Sequence, residues 1–210
     1  MTPKQKFTTA LIALALATLS KSAIADFYDG ARGPSRAQVH YTTQSSDKHS
    51  IALKYFGDHL FAVGVGNANA QGPTGYFGGL GLILEGLERI KAIPVLGYGL
   101  SPDGTQGTAV GVVQATVFVD QDGTFLLDPR YVVAVPAHGN QQHTPQQTLG
   151  LTASAGNTQC RIGADVTYPL RQQPTLDALV RYDIDAKTHT SWVQFGIGQS
   201  GAQLQVRGNF

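Results

Sequence analysis

Residues 176–185, Leu176-Asp177-Ala178-Leu179-Val180-Arg181-Tyr182-Asp183-Ile184-Asp185, change between apolar and polar at nearly every step. Leu176, Ala178, Val180, Tyr182 and Ile184 fall on one face, and Asp177, Leu179, Arg181, Asp183 and Asp185 on the other. Side chains along a strand point alternately to its two faces, so this period of two reads as a strand with one apolar and one charged side. The segment before it repeats the pattern, with Ile162, Ala164, Val166 and Tyr168 opposing Arg161, Gly163, Asp165 and Thr167. Earlier still, Leu149, Leu151, Ala153 and Ala155 oppose Thr148, Gly150, Thr152 and Ser154.

The N-terminal half carries the same period. Val39 and Tyr41 alternate with Gln38, His40 and Thr42; Ile51, Leu53 and Tyr55 share a face, as do Phe61, Val63 and Val65. Leu80, Leu82 and Leu84 oppose Gly79, Gly81 and Ile83, and Val113, Ala115, Val117 and Val119 oppose Gln114, Thr116 and Asp120. Segments 89–99 and 124–136 read as apolar on both faces and contain or end in Pro94 and Pro136, which weakens them as strands. Glutamate occurs only at Glu85 and Glu88, while Gly, Thr and Gln are plentiful, a composition that disfavours amphipathic helices.

The first twenty-five residues belong to a different category. Lys4 and Lys6 precede the uncharged apolar run 7–19, and Ala23-Ile24-Ala25 supplies the small residues of a cleavage site, so residues 1–25 read as a cleaved secretory signal. The run is too short for a membrane-spanning helix. Residues 26–35 then form an N-terminal periplasmic segment and 36–210 the folded domain. Removing Lys4, Lys6 and Lys21 leaves 12 basic residues against 14 acidic ones, with no basic tract, so no nucleic-acid partner is implied. Cys160 is the one cysteine and cannot form an internal disulfide.

The joins between segments alternate in length. Longer polar connections fall near 45–49, 67–75, 101–106, 137–147, 168–174 and 199–201. Tight ones fall at Gly57-Asp58-His59, 85–88, Gln121-Asp122-Gly123, Gly156-Asn157 and Ala186-Lys187-Thr188. Short turns on one side and longer loops on the other are characteristic of transmembrane barrels. Lipid cannot hydrogen-bond an exposed strand edge, so a membrane sheet must close on itself. The expected fold is all-β: a closed antiparallel transmembrane β-barrel of about twelve strands, with ten as the other parse.

The chain ends on an alternating strand. Gln199, Gly201, Leu204 and Val206 follow the polar-x-glycine-x-x-apolar-x-apolar pattern, and the alternation runs through Gly208 to the terminal Phe210. This resembles the β-signal of Gram-negative outer-membrane β-barrel proteins. The resemblance implies location in the outer membrane, contact with its lipid, and handling by the barrel-assembly machinery. A soluble β-sandwich or lipocalin-like barrel is the competing architecture.

With the apolar face toward lipid, Arg161, Asp165, Asp177, Arg181, Asp183, Asp185 and Arg207 would line the lumen. Small residues at Gly64, Gly79, Gly81, Gly150, Ser154, Gly163, Gly196 and Gly198 would leave space there, favouring a small passive channel for hydrophilic solutes, without cofactor. Tyr41, Tyr55, Tyr76, Tyr168, Tyr182 and Phe210 suit an aromatic girdle, whereas the phase of Trp192 points it inward. Two other functions compete: a non-conducting barrel acting through loops 67–75 and 137–147, or a lipid-modifying hydrolase. For the latter, His189 and Ser191 resemble the histidine-x-serine pair of lipid A 3-O-deacylases, but no acid follows Ser191. His138 and His143 in the longest loop do not have metal-site spacing. Asp120-Gln121-Asp122-Gly123 lacks the downstream Glu of a calcium loop and reads as a turn.

Overall fold

The structure, a computed structural model, describes residues 37–44, 47–87, 90–122, 124–139, 144–157, 159–184, 191–199 and 201–209. The signal segment 1–25, residues 26–35, Gly123, His143, Asp185, the turn 186–188, His189 and Phe210 therefore lie outside the described residues. Thirteen segments form one sheet. They are β1 (Ala37–Gln44), β2 (Lys48–Phe56), β3 (Leu60–Asn69), β4 (Gly72–Leu82), β5 (Leu84–Leu87), β6 (Ile90–Leu100) and β7 (Gly107–Phe118). The remainder are β8 (Phe125–His138), β9 (Gln146–Gly156), β10 (Cys160–Pro169), β11 (Thr175–Asp183), β12 (Trp192–Gly198) and β13 (Gly201–Asn209).

Every neighbouring pair is antiparallel and the sheet closes on itself. β13 returns to β1, with Gln38 opposite Asn209 and Gln44 opposite Gln203. β4 and β5 both pair with β6 and are two parts of one strand interrupted at Ile83, so the barrel has twelve strands. The interruption has a local cause. By register, Pro94 lies opposite Leu82, the residue just before it, since Gly81 pairs with Val95 and Leu84 with Ala92. Proline has no N–H to give to that side of the ladder. A second gap in pairing lies opposite Pro129, between β7 and β8. There the Thr116 hydroxyl donates to the Asp128 carboxylate across the break.

An even strand number brings the start of β1 and the end of β13 to one end of the barrel, here called the terminal end, together with the turn at 57–59. The described connections at 101–106 and 170–174 lie at the opposite, loop end. The expected contrast in length is only partly present. Residues 67–75 are not a loop: β3 runs to Asn69 and β4 starts at Gly72, leaving a turn of Ala70 and Gln71. Gly72 adopts φ +123°, a conformation that glycine reaches without a Cβ penalty, and this lets the hairpin close so tightly. Conversely, the join near Gln121-Asp122 is longer than a tight turn, since β7 ends at Phe118 and β8 starts at Phe125. It is closed by the Asp120 carboxylate accepting the Phe125 N–H at 3.1 Å.

The outer face is apolar over its whole circumference. Leu53, Leu80, Leu96, Ile162, Ile184 and Ile197 are all more than half exposed, Leu96 most of all at 78%. Tyrosines mark both ends of this belt. Tyr41 meets His49 (Oη to Nδ1, 2.9 Å) and Tyr98 meets His138 (2.5 Å) toward the loop end. Tyr182 accepts from Gln159 Nε2 at 2.9 Å toward the terminal end. Phe61, Val63 and Val65 share a face as expected, but it is the inner, buried one, so Gly64, expected in the lumen, lies outside with Ala62 and Gly66.

Candidate functional site

The inner wall divides into two halves. From β2 to β8 it is mainly apolar: Phe56, Phe61, Val63, Val65, Phe77, Ile93, Val95 and Val112 belong to one buried cluster. From β8 around to β1 it is polar, with Arg130, Thr152, Asp165, Asp177, Arg181, Gln194, Gln205 and Arg207 buried. Buried charges need paired and hydrogen-bonded partners, and the polar half supplies them across strands.

The centre of that half is a knot around Asp165. Arg130 on β8 holds Asp165 on β10 through two parallel bonds, Nη1 to Oδ1 at 2.7 Å and Nη2 to Oδ2 at 2.8 Å. Thr152 on the intervening β9 donates to the same carboxylate at 2.6 Å, and Arg130 also donates to Thr167 at 2.8 Å. Such a bidentate pair fixes orientation as well as charge. Arg130 was not among the candidates drawn from the sequence, because segment 124–136 looked apolar on both sides. Asp177 stands directly opposite Asp165 on β11.

Nearer the terminal end the chemistry changes sign. Lys54, Arg161, Arg181 and Arg207 all lie within a few residues of that end and point inward, forming a cationic collar. Arg181 is bonded to Asp183 on its own strand at 2.9 Å. Trp192, fully buried, sits between guanidinium groups: Arg181 Cζ is 4.8 Å and Arg207 Cζ 5.7 Å from its ring centroid. His40 meets the indole edge-on at 4.9 Å, and Lys54 Nζ lies 3.4 Å from His40 Nδ1. His40 and Lys54 obey the same two-residue alternation as their strands and could have been found by it.

Of the seven residues expected to line a lumen, Asp165, Asp177, Arg181, Asp183 and Arg207 are buried inside the barrel. Arg161 is half-buried and donates to the Thr124 carbonyl at 3.1 Å; Asp185 is outside the described residues. Leu204 and Val206, which the sequence pattern places in a β-signal-like stretch, lie on the outer face beside the closing seam with β1. Ser191 immediately precedes β12 and its carbonyl accepts the Ile184 N–H at 2.9 Å, but its proposed partner His189 is not described. Both ring nitrogens of His138 are engaged, by Tyr98 and by the Gly104 carbonyl at 3.2 Å. Among the described residues no cluster of three or more His, Cys, Asp or Glu could hold a metal ion.

The glycines do not leave open space as expected. Gly64 faces outward. At the inner positions a neighbour lies flat over the missing side chain: Phe77 over Gly79, Arg130 over Gly150, Gln203 and Leu179 over Gly196. In a narrow barrel, inward side chains crowd one another, so small residues are where large ones fit. Gly97 is tight against the Phe77 ring, since a Cβ there would come 2.4 Å from Phe77 Cζ and 2.6 Å from the Gly78 carbonyl oxygen. Gly97→Ala is expected to cost about 1–3 kcal/mol of unfolding free energy by overpacking. Gly78→Ala, with nothing within 4 Å of its Cβ, should stay within about 0.5 kcal/mol. Urea unfolding of the two refolded variants checks the difference.

No protein-family model matches the chain, and no curated protein matches it. Among solved structures, it is similar to the KdgM porin, at 12% identity with a TM-score of 0.61, covering 83% of this chain and 98% of that one. A structure of the KdgM porin in complex with disordered oligogalacturonate matches at 12% identity, a TM-score of 0.63 and the same coverage. The NanC porin matches at 10% identity and a TM-score of 0.56, over 81% of this chain and 96% of that one. The likeness is one of fold: this chain has the closed antiparallel architecture of those porin barrels, spanning almost their whole length.

Proposed function

We propose that the protein is a small passive channel of the bacterial outer membrane, porin-like, taking hydrophilic solutes through the polar half of its barrel. The observation that carries this reading is the arrangement of the wall. A continuous apolar belt on the outside suits lipid, and a charged, hydrogen-bonding strip runs along the inside from β8 to β1. The fold shared with known porins supports it, as do the secretory signal and the terminal β-signal read in the sequence. No catalytic residue is assigned.

The cationic collar gives the channel a sign. Lys54, Arg161, Arg181 and Arg207 all sit toward the terminal end, where Arg181 is paired with Asp183, so anions are favoured there over cations. Rings of fixed charge set selectivity in this way in other pores. Arg181→Gln removes one cation and releases Asp183 from its pair. The expected result is a reversal potential, measured across a salt gradient in a planar bilayer, that moves toward cation preference, with unit conductance retained. An unchanged reversal potential would contradict the collar as the selective element.

A further inference from the structure

The cationic collar is closed where it meets the seam between β13 and β1. Trp192, Arg207, His40 and Lys54 are each no more than 3% exposed, although three of them carry or can carry positive charge. In the register, Trp192 stands opposite Arg207, and Arg207 opposite His40. Lys54 lies one step diagonally from His40, opposite Gln38. Its Nζ reaches His40 Nδ1 at 3.4 Å, and the His40 ring meets the indole edge-on with centroids 4.9 Å apart. The guanidiniums of Arg181 and Arg207 lie over the same indole, at 4.8 and 5.7 Å from its centroid. One imidazole therefore touches both the ammonium and the aromatic plate on which the other cations rest.

The contact between Lys54 and His40 works in one protonation state only. An ammonium has donors and no acceptor, so Nδ1 must supply the lone pair, and the imidazole is neutral with its proton on Nε2. An imidazolium has an N–H at both nitrogens. A second proton therefore turns the 3.4 Å contact into donor against donor and cation against cation. The surroundings add to that repulsion. The inner-facing charged groups around His40 are Lys54 on β2, Arg207 on β13, and Arg181 with Asp183 on β11, where Asp177 lies farther toward the loop end. β12 presents Trp192 and Gln194, and β1 itself Gln38 and Thr42, none of them charged. Asp183 is already bonded to Arg181. Like charges held together away from water repel strongly, and reaching water relieves them.

We propose that Lys54 and His40 form an acid-sensitive latch on the collar. Neutral His40 holds Lys54 and braces Trp192; proton uptake by His40 expels Lys54, unpacks the indole and opens the collar to anions. The proposal rests on the channel reading for its consequence, and on the geometry of Lys54, His40 and Trp192 for the switch itself. Trp192 is the only tryptophan in the chain, so its emission reports the packing beside His40 independently of any current. The full mature chain, folded in detergent, is followed by Trp192 emission from about pH 7.5 to about pH 4.5, a range in which imidazole changes charge. Inserted in a planar bilayer, the same protein is followed by its current at both ends of that range.

The expected result is a change in Trp192 emission as the pH falls, and a mean current at the acid end at least about twofold that at the neutral end, at equal voltage and ionic strength. His40→Gln keeps an acceptor for Lys54 and cannot take up a proton, so both responses are lost. Should that variant lack heat-modifiable mobility, Lys54→Met, which leaves no ammonium to expel, serves in its place and loses them too. A folded variant that keeps the parent's acid response would overturn the proposal. So would a channel whose current is the same at both ends of the range, a result that leaves the channel reading standing. A protein that never conducts, yet whose acid change in emission is lost in His40→Gln, would remove the channel reading and confine the latch to the packing of the barrel.

Discussion

Asp165→Ala is expected to lower the unfolding free energy of the barrel by about 3–5 kcal/mol, the usual cost of stranding one charge of a buried pair. The reason is geometric. Asp165 accepts from Arg130 twice and from Thr152, and its removal leaves the Arg130 guanidinium buried with only two threonine hydroxyls for company. Asp165→Asn keeps one acceptor oxygen and should cost less. The double variant Arg130→Met, Asp165→Leu removes both charges and fills their volume, so it should recover most of the loss. Urea unfolding of the three proteins, followed by heat-modifiable gel mobility, checks the order. A single Asp165→Ala variant as stable as the parent would show that the knot carries no structural weight.

Leu96→Arg should be costly for a different reason. Leu96 lies near the middle of β6, paired with Leu80, and is the most exposed large apolar side chain among the described residues. If the outer belt meets lipid, an arginine there costs about 2–4 kcal/mol, the value for a cation near the bilayer midplane. On a surface facing water the same change would stay within about 0.5 kcal/mol. Leu170→Arg, in the connection after β10, provides the comparison and should remain near neutral in either case. Folding free energies in phospholipid vesicles distinguish the two surroundings, and a neutral Leu96→Arg would place the belt in water.

How much of this was legible in sequence depended on which face carried the polar residues. From β9 to β13 the alternation is strict, because outer Leu, Val and Ile oppose inner Asp, Arg and Gln, and the inner and outer faces follow directly. In β3 both faces are apolar or small. Phe61, Val63 and Val65 look like the lipid side, yet they pack within the apolar half of the interior while Ala62, Gly64 and Gly66 take the outside. Hydrophobicity alone cannot orient such a strand; only burial of its bulkier face does. Arg130 was hidden for another reason. Its partner Asp165 is two strands away in the sheet and 35 residues away in sequence, so no local pattern announces the pair. The short turn at Ala70-Gln71 was hidden by composition, since Asn67, Asn69, Gly72 and Pro73 read as a loop although they belong to β3 and β4. The glycines misled in a consistent way: an absent side chain signals a neighbour that needs the room, as Phe77 does over Gly97.

The most direct test of the account is single-channel recording of the purified mature chain in a planar bilayer, after heat-modifiable mobility has shown that it is folded. The account predicts discrete, repeated openings of one unit conductance, with anions carrying the larger share of the current. A folded protein that inserts into the bilayer and never conducts would contradict the channel, leaving a barrel whose polar half serves only to hold itself together.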